Sequence, residues 1–234
     1  MLYSCNSKIS FNAAVVDKKK TLMLAYKMLP EYVFDTSQLE NNPITFPEVK
    51  TLLDGVTIGG HKINDVQQVL NIKNAWFLLF DLVGNNKFTP SKNIFHQINK
   101  EIAQNEALYA GIFRNGSVNI AGTKNYTAPS YEKLDDIFET EIHDILDEYN
   151  TVEQAIRIFL WGSLNQFYWD GNKRTARLIA NGILINEGAG VFNIKTKDIL
   201  EFNTLMIDFY DTKKADSIVE FLSKKCIFYM GEKS

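Results

Sequence analysis

The segment between two apolar runs in the second half of the chain reads Gln166-Phe167-Tyr168-Trp169-Asp170-Gly171-Asn172-Lys173-Arg174-Thr175-Ala176-Arg177. It places an acid, a glycine, an amide and three cations within a few residues. The runs on either side, 152–166 and 173–187, are rich in apolar residues and predict two mostly buried helices. The segment is therefore predicted to be a short loop that opens onto a helix, which is a natural place to hold a phosphate.

Each residue type in this loop has a physical reason to bind a phosphate. Gly171 permits close approach of the backbone, and Asn172 is predicted to cap the helix that follows. Arg174 and Arg177 lie three residues apart, so they share a helix face and can grip a polyphosphate. Asp170 can hold Mg²⁺, which takes one or two carboxylates together with phosphate oxygens. The same spacing fits an ordinary turn with solvated cations, and the residues alone leave both interpretations open.

Composition excludes several other classes of protein. The chain has 234 residues, of which 45% are hydrophobic, and a net charge of −3, so nonspecific nucleic-acid binding has no electrostatic support. Neither a membrane span nor a signal peptide is visible, which predicts a soluble, cytoplasmic protein. The few cysteines and histidines have neither a disulfide framework nor zinc-ligand spacing: Cys5, Cys226, His61, His96 and His143.

Apolar residues recur with helical spacing along most of the chain. The clearest stripe, across 131–149, runs through acidic residues and predicts an amphipathic helix. Similar patterns predict helices in four further segments, which are 63–80, 94–102, 197–210 and 215–225. The pattern therefore predicts an all-α fold.

One segment departs from this helical pattern. Residues 117–121, Ser117-Val118-Asn119-Ile120-Ala121, alternate polar and apolar side chains between two glycines. Such alternation predicts a strand in a small β-hairpin. A lone hairpin in a helical protein more often lies over a groove than in the core, and its edge can recruit an extended peptide. We therefore predict a flap at 117–121.

Residues 166–177 resemble the signature of the Fic/Doc (Fido) family, His-x-Phe-x-Asp/Glu-Gly-Asn-Gly/Lys-Arg-x-x-Arg. Six positions match it, namely Asp170, Gly171, Asn172, Lys173, Arg174 and Arg177. Tyr168 stands at the phenylalanine position, which is a mild change. Gln166 stands at the position of the family histidine, which is a severe change.

The resemblance covers about residues 45–225 and implies a Fic-type helical bundle with a β-hairpin flap over the active-site groove. Gly111-Ile112-Phe113-Arg114 resembles the approach to the family's flap. Thr51-Leu52-Leu53-Asp54-Gly55 loosely resembles the family's inhibitory segment, Ser/Thr-x-x-x-Glu-Gly/Asn, with aspartate in place of glutamate and the threonine one position out of register. We predict an N-terminal arm (1–44), an inhibitory-helix-like segment (45–60) and a Fic-type domain (61–234) that is compact with the preceding segments.

Most characterised Fic proteins transfer AMP from ATP to a hydroxyl of a target protein, so the resemblance implies ATP as co-substrate together with Mg²⁺. It assigns the metal to Asp170 and the anion hole around the phosphates to Gly171 and Asn172. It assigns the β-phosphate to Arg174 and the γ-phosphate to Arg177.

The resemblance leaves the transferred group and the target open. Lys173 replaces the commoner glycine, and lysine also occurs there in family members that phosphorylate. The flap, 117–121, would pair with a target protein that offers a Ser, Thr or Tyr hydroxyl. The family often forms dimers, so a homodimer is compatible with the resemblance.

The glutamine at position 166 is the difference from the family signature that matters most for the expected activity. The family histidine removes a proton from the incoming hydroxyl, and a glutamine amide does not titrate, so a contribution of about 10²–10⁴-fold is lost. We weigh an impaired transferase against a Fic-fold pseudoenzyme that binds nucleotide or a partner. A third hypothesis is a hydrolase that removes AMP with water activated by Asp54, which would otherwise inhibit by pairing with Arg177. We favour a nucleotide site that is intact but lacks its base, and the sequence equally allows a glutamine introduced to trap a substrate state.

Overall fold

The computed structural model describes residues 3–7, 9 and 17–229, which form ten α-helices and one two-stranded sheet. The helices are α1 (Lys18–Lys27), α2 (Leu29–Leu39), α3 (Phe46–Leu53), α4 (Ile63–Gly84), α5 (Lys92–Ile102), α6 (Leu134–Glu148), α7 (Thr151–Asn165), α8 (Asn172–Asn186), α9 (Ile199–Thr212) and α10 (Asp216–Lys225). The antiparallel strands are β1 (Val191–Phe192) and β2 (Ile227–Phe228). Within these ranges, every helix is too short or too polar to cross a membrane.

Helices α7 and α8 form the centre of the fold and pack against each other more extensively than any other pair of described elements. Nearly every residue of both helices is buried, because neighbouring elements cover them on several sides. Their close approach depends on Gly162, where a Cβ would lie 2.8 Å from the Cβ of Ala176. The loop that joins them is therefore held at both ends by a tightly packed pair of helices.

We expect Gly162→Ala to destabilise the fold by about 1–3 kcal/mol, because the added methyl group pushes the two central helices apart. The loss should appear even though alanine has a better helix propensity than glycine by about 1 kcal/mol. Urea unfolding at unchanged m-value measures the difference. Gly84→Ala is the matched control, since its Cβ would meet only Leu22, at an ordinary 3.7 Å. Equal losses for the two substitutions would contradict this account.

The described part of the predicted N-terminal arm is built into the same core. Helices α1 and α2 pack against α4, and α1 also contacts α8. Tyr32 and Val33 of α2 are buried, and the ring of Tyr32 stacks on Trp76 with a centroid distance of 5.4 Å. Residues 17–44 thus help to form the body of the protein on which the candidate site is built.

The helical predictions are confirmed. The stripe at 131–149 appears as a 3₁₀ turn, Tyr131–Lys133, followed by α6. The apolar runs at 152–166 and 173–187 appear as α7 and α8, and the two closing segments appear as α9 and α10. Local periodicity was sufficient here because each helix buries a continuous face.

The predicted strand at 117–121 is wrong, since this segment pairs with no strand among the described residues. Its alternation did indicate which side faces inward: Val118 and Ile120 are partly buried, whereas the three residues around them are exposed. Pairing fails because the chain on either side, 111–116 and 122–129, forms turns, bends and irregular structure rather than a second strand. The one small sheet joins β1 to β2, far away in sequence, and the flap is an extended loop.

Candidate active site

The loop between α7 and α8 has a backbone that turns twice through the left-handed region. Gln166, at the end of α7, has φ +49°, and Gly171, at the start of α8, has φ +73°. A Cβ at Gly171 would also lie 2.7 Å from Cγ2 of Ile102, so both the torsion and the packing require glycine. Between these two turns, Phe167 and Tyr168 are buried and Asp170 is exposed.

Asn172 closes this loop, although the sequence predicted it as a helix cap. Gly171 occupies the N-cap position, and Asn172 is the first residue of α8. The Asn172 side chain accepts from the backbone N–H of Tyr168 at 2.8 Å and donates to the Tyr168 carbonyl at 2.8 Å. It also donates to Oε1 of Gln166 at 3.2 Å. Asn172 therefore fixes the loop from the inside, which leaves the first N–H groups of α8 to face outward.

A groove of about 420 Å³ lies over this loop. Residues 169–174 and Gln166 line it, together with 119–121 from the predicted flap. The structure thus brings together most of the residues that the sequence assigned to phosphate and target binding. Two further lining residues, Glu40 and Tyr210, were not predicted from the sequence.

Arg174 lines the groove, and all its guanidinium nitrogens face carboxylates. Nη1 donates to both oxygens of Glu106 at 3.0 and 2.9 Å, Nη2 donates to Asp170 at 3.2 Å, and Nε lies 3.9 Å from Glu40. Only 3% of the residue is exposed. Burial alone lowers the pKa of Arg174, but the three carboxylates raise it above its usual value. A phosphate must therefore displace at least one carboxylate to reach this guanidinium.

Arg177, the second arginine of the motif, lies behind the groove and does not line it. It is buried, and among the described residues its Nη2 has no hydrogen-bond partner. Burial lowers the pKa of Arg177 to about 10, an effect that the charge of Glu40 opposes and that of Arg174 reinforces. At least one nitrogen of this buried guanidinium therefore lacks a hydrogen-bond partner in the described part of the chain, which is uncommon for a buried polar atom.

Asp54, which the sequence paired with Arg177, lies outside the groove, whereas Glu40 lines the groove and faces Arg174. Asp54 caps the C terminus of α3, is exposed, and forms no ion pair with Arg177 in the part of the chain that the structure describes. Glu40 caps α2, lines the groove and faces Arg174. The signal was present in the sequence, since Thr36 to Asn41 read Thr-x-x-x-Glu-Asn and fit the inhibitory pattern in strict register.

The amide of Gln166 is held by the protein. Its Nε2 donates to the carbonyl of Ser163 at 2.7 Å, and its Oε1 accepts from Asn172 at 3.2 Å. Neither atom can serve as a general base, because an amide does not titrate in this range. The glutamine amide therefore connects the end of α7 to the start of α8.

No histidine replaces it among the described residues that line the groove. His96 contacts the hydroxyl of Tyr168 at 3.0 Å, His61 contacts Glu48 at 2.9 Å, and His143 is exposed on α6. Tyr210 does line the groove, but burial raises its pKa, so its hydroxyl stays protonated at neutral pH.

Asp170 is the residue best suited to a divalent metal. Its side chain is 50% exposed at the groove and is bound on one side by Arg174. In residues 3–7, 9 and 17–229, no three His, Cys, Asp or Glu side chains cluster as a preformed metal cage. A single exposed carboxylate could hold Mg²⁺ only together with ligands from outside the protein, such as water or phosphate oxygens.

The architecture is similar to solved Fic-domain structures. A Fic domain containing signaling protein from Bacteroides thetaiotaomicron matches at a TM-score of 0.70 and 18% identity, over 82% of this chain and 75% of that one. A segment of Fic-1 from C. elegans matches at 0.70 and 20%, over 88% and 68%. A Fic family protein from Desulfovibrio desulfuricans G20 matches at 0.66 and 14%, over 92% and 73%. No family profile and no curated protein matches the sequence.

The chain therefore has the Fic fold, as the resemblance of the loop had predicted. Within that fold, this protein carries glutamine at position 166, lysine at 173 and a glutamate at 40 that faces the first motif arginine.

Proposed function

We propose that this protein binds a nucleotide, with ATP and Mg²⁺ as the ligand, in the groove above the α7–α8 loop. We further propose that Gln166 leaves transfer of AMP or phosphate to a protein hydroxyl very slow. Both parts are supported by the residues that line the groove. The start of α8 offers groups that suit a phosphate, and next to it stands Gln166, whose amide is hydrogen-bonded to Ser163 and Asn172.

The groove supplies the groups that a nucleotide phosphate requires. Residues 171–173 present the N terminus of α8, whose free N–H groups and partial positive charge favour an anion. Arg174 would take the phosphate in exchange for a carboxylate. Asp170 would hold Mg²⁺, which when bound neutralises phosphate charge. Arg177 would join a phosphate contact only after a movement toward the groove, because it now lies behind Arg174.

Slow transfer follows from the absence of a base. A target hydroxyl must lose its proton as it attacks the phosphate, and general-base catalysis contributes about 10²–10⁴-fold. Gln166 can orient such a hydroxyl but cannot accept the proton. The extended residues 119–121 line the groove, so they are the proposed docking segment for a target protein with a Ser, Thr or Tyr hydroxyl.

A second candidate is hydrolytic removal of AMP from a modified protein. The sequence placed the water-activating acid at Asp54, which lies on the surface without contact to the groove. Glu40 is a carboxylate that does line the groove, so the hydrolytic hypothesis now rests on Glu40. Release of AMP from an AMP-modified peptide that disappears in Glu40→Gln would favour this candidate.

Calorimetry tests nucleotide binding directly. We expect ATP to bind with Mg²⁺ and to bind about tenfold more weakly with EDTA, a difference of about 1.4 kcal/mol. Asp170→Asn should abolish this difference, because it removes the only carboxylate proposed for the metal. Asp54→Asn is the matched control and should behave as the wild type, since Asp54 lies outside the groove. Absence of heat for ATP, ADP and AMP under all these conditions would contradict the proposal.

A further inference from the structure

Arg114 is a buried cation that holds three separate parts of the backbone. Its Nε donates to the carbonyl of Gln166 at 2.6 Å, its Nη1 to that of Gly116 at 2.7 Å, and its Nη2 to that of Pro129 at 2.6 Å. Only 2% of the residue is exposed. Gly116 and Pro129 lie near the two ends of residues 115–129, which we call the flap loop. The Arg114 side chain therefore joins both ends of this loop to the backbone at position 166.

The charge of Arg114 is balanced by backbone rather than by a carboxylate. Across the described ranges, Arg114 has no ion pair with an acid, and burial lowers its pKa. Its partner Gln166 lies at the C terminus of α7, where unpaired carbonyls carry partial negative charge. One donor of the guanidinium thus stabilises the end of α7 while the other two hold the flap loop. A lysine ammonium cannot reproduce this arrangement, because it lacks the planar fork.

The flap loop supplies further donors to the same helix end. The backbone N–H of Arg114 donates to the carbonyl of Phe167 at 2.8 Å, and the hydroxyl of Tyr126 donates to the carbonyl of Leu164 at 2.5 Å. On its outer side, the loop is tied to α9, because Asp211 accepts the backbone N–H groups of Lys124 and Asn125, both at 2.8 Å. Hydrogen bonds therefore join the flap loop to the end of α7, and the backbone of residue 166 takes part in them.

We propose that Arg114 is a positioning residue that couples the flap loop to the backbone at position 166. Gln166 holds φ +49°, a conformation that non-glycine residues adopt at a cost of about 1–2 kcal/mol. Arg114 stabilises that conformation through the Gln166 carbonyl and simultaneously fixes the ends of the loop that would dock a target. A change in the loop is thereby transmitted to the residue that faces the incoming hydroxyl. An effect of this coupling on catalysis rests on the proposed function, whereas the coupling between the flap loop and position 166 does not.

Hydrogen exchange of the ligand-free protein tests the coupling. In Arg114→Lys we expect amides in 115–129 and in 166–171 to exchange about tenfold faster or more, while α4 and the centre of α8 keep their protection. Arg157→Lys is the matched control, because it also removes a buried guanidinium fork, but in the middle of α7, where Glu153 is a partner. Faster exchange in only one of the two segments, or equal effects in Arg157→Lys, would overturn the coupling.

Kinetics distinguish a positioning role from general support of the groove. In a Gln166→His background, Arg114→Lys should lower the rate of labelling by about tenfold with KM for ATP unchanged within about twofold, since Arg114 does not line the groove. A parallel rise in KM for ATP would overturn the positioning role. If Gln166→His shows no labelling at all, the transfer part of the proposed function fails, and the exchange measurements alone decide the role of Arg114.

Discussion

Gln166→His should raise the rate of AMP or phosphate transfer from labelled ATP to protein by about 10²–10⁴-fold, because imidazole can accept the hydroxyl proton at neutral pH. The backbone at 166 is suited to the change, since histidine adopts the left-handed conformation more readily than most residues. The new ring would give up the bond from the glutamine amide to Ser163, but the backbone contact from Arg114 to position 166 would remain. Labelled protein in a cell lysate, quantified against time, measures the gain.

The control for this experiment is Gln166→Ala, which removes the same amide without supplying a base. Equal labelling by the histidine and alanine variants would show that loss of the Ser163 contact, not proton transfer, accounts for the gain. No labelling by Gln166→His, in a protein that still binds Mg²⁺-ATP, would contradict the view that only the base is missing. Mass spectrometry of the labelled product distinguishes an AMP adduct from a phosphate adduct, which Lys173 leaves open.

Glu40→Gln should increase the affinity for Mg²⁺-ATP by about tenfold, or about 1.4 kcal/mol. Glu40 lies 3.9 Å from Nε of Arg174 and its charge also acts on Arg177, so it competes with a polyphosphate for both cations. The substitution keeps the size of the side chain and leaves Arg174 with two carboxylate partners, Glu106 and Asp170. The fold should therefore persist, and calorimetry can report binding alone.

Asp54→Asn provides the matched control, because it removes one carboxylate from the end of a neighbouring helix outside the groove. Its affinity for Mg²⁺-ATP should equal that of the wild type. Equal gains for the two variants would mean that net charge, rather than the position of Glu40, sets the affinity. An unchanged affinity in Glu40→Gln would contradict competition between the carboxylate and the phosphates.

The sequence predicted the parts of the site that are local in the chain. Residues 169–174 lie together along the groove because they are consecutive in the chain, and the helices on either side follow from apolar periodicity. The predicted strand at 117–121 failed because pairing requires a second segment, which no local pattern guarantees.

The partners of Arg174 could not be predicted in this way. Glu106 follows α5 and Glu40 follows α2, so the chain must fold before either reaches the arginine. For Glu40 the sequence does carry a signal, since the pattern that begins at Thr36 keeps the register that the segment beginning at Thr51 lacks. Tyr210 and Arg114 carry no recognisable catalytic spacing, and only the tertiary structure shows their proximity to the loop.

Helix α2, which Glu40 caps, is part of the hydrophobic core of the protein. Tyr32 and Val33 on α2 are buried, and exposing each such side chain would lose about 1.5–3 kcal/mol. Access of a nucleotide to Arg174 should therefore come from rotation of the Glu40 side chain at the end of an intact helix, next to Asn41 with its φ of +58°. Shortening the chain from its N terminus beyond residue 44 would expose the core and so produce aggregation or proteolysis. A truncation series would thus report on folding, and only point substitutions can reveal how the groove is regulated.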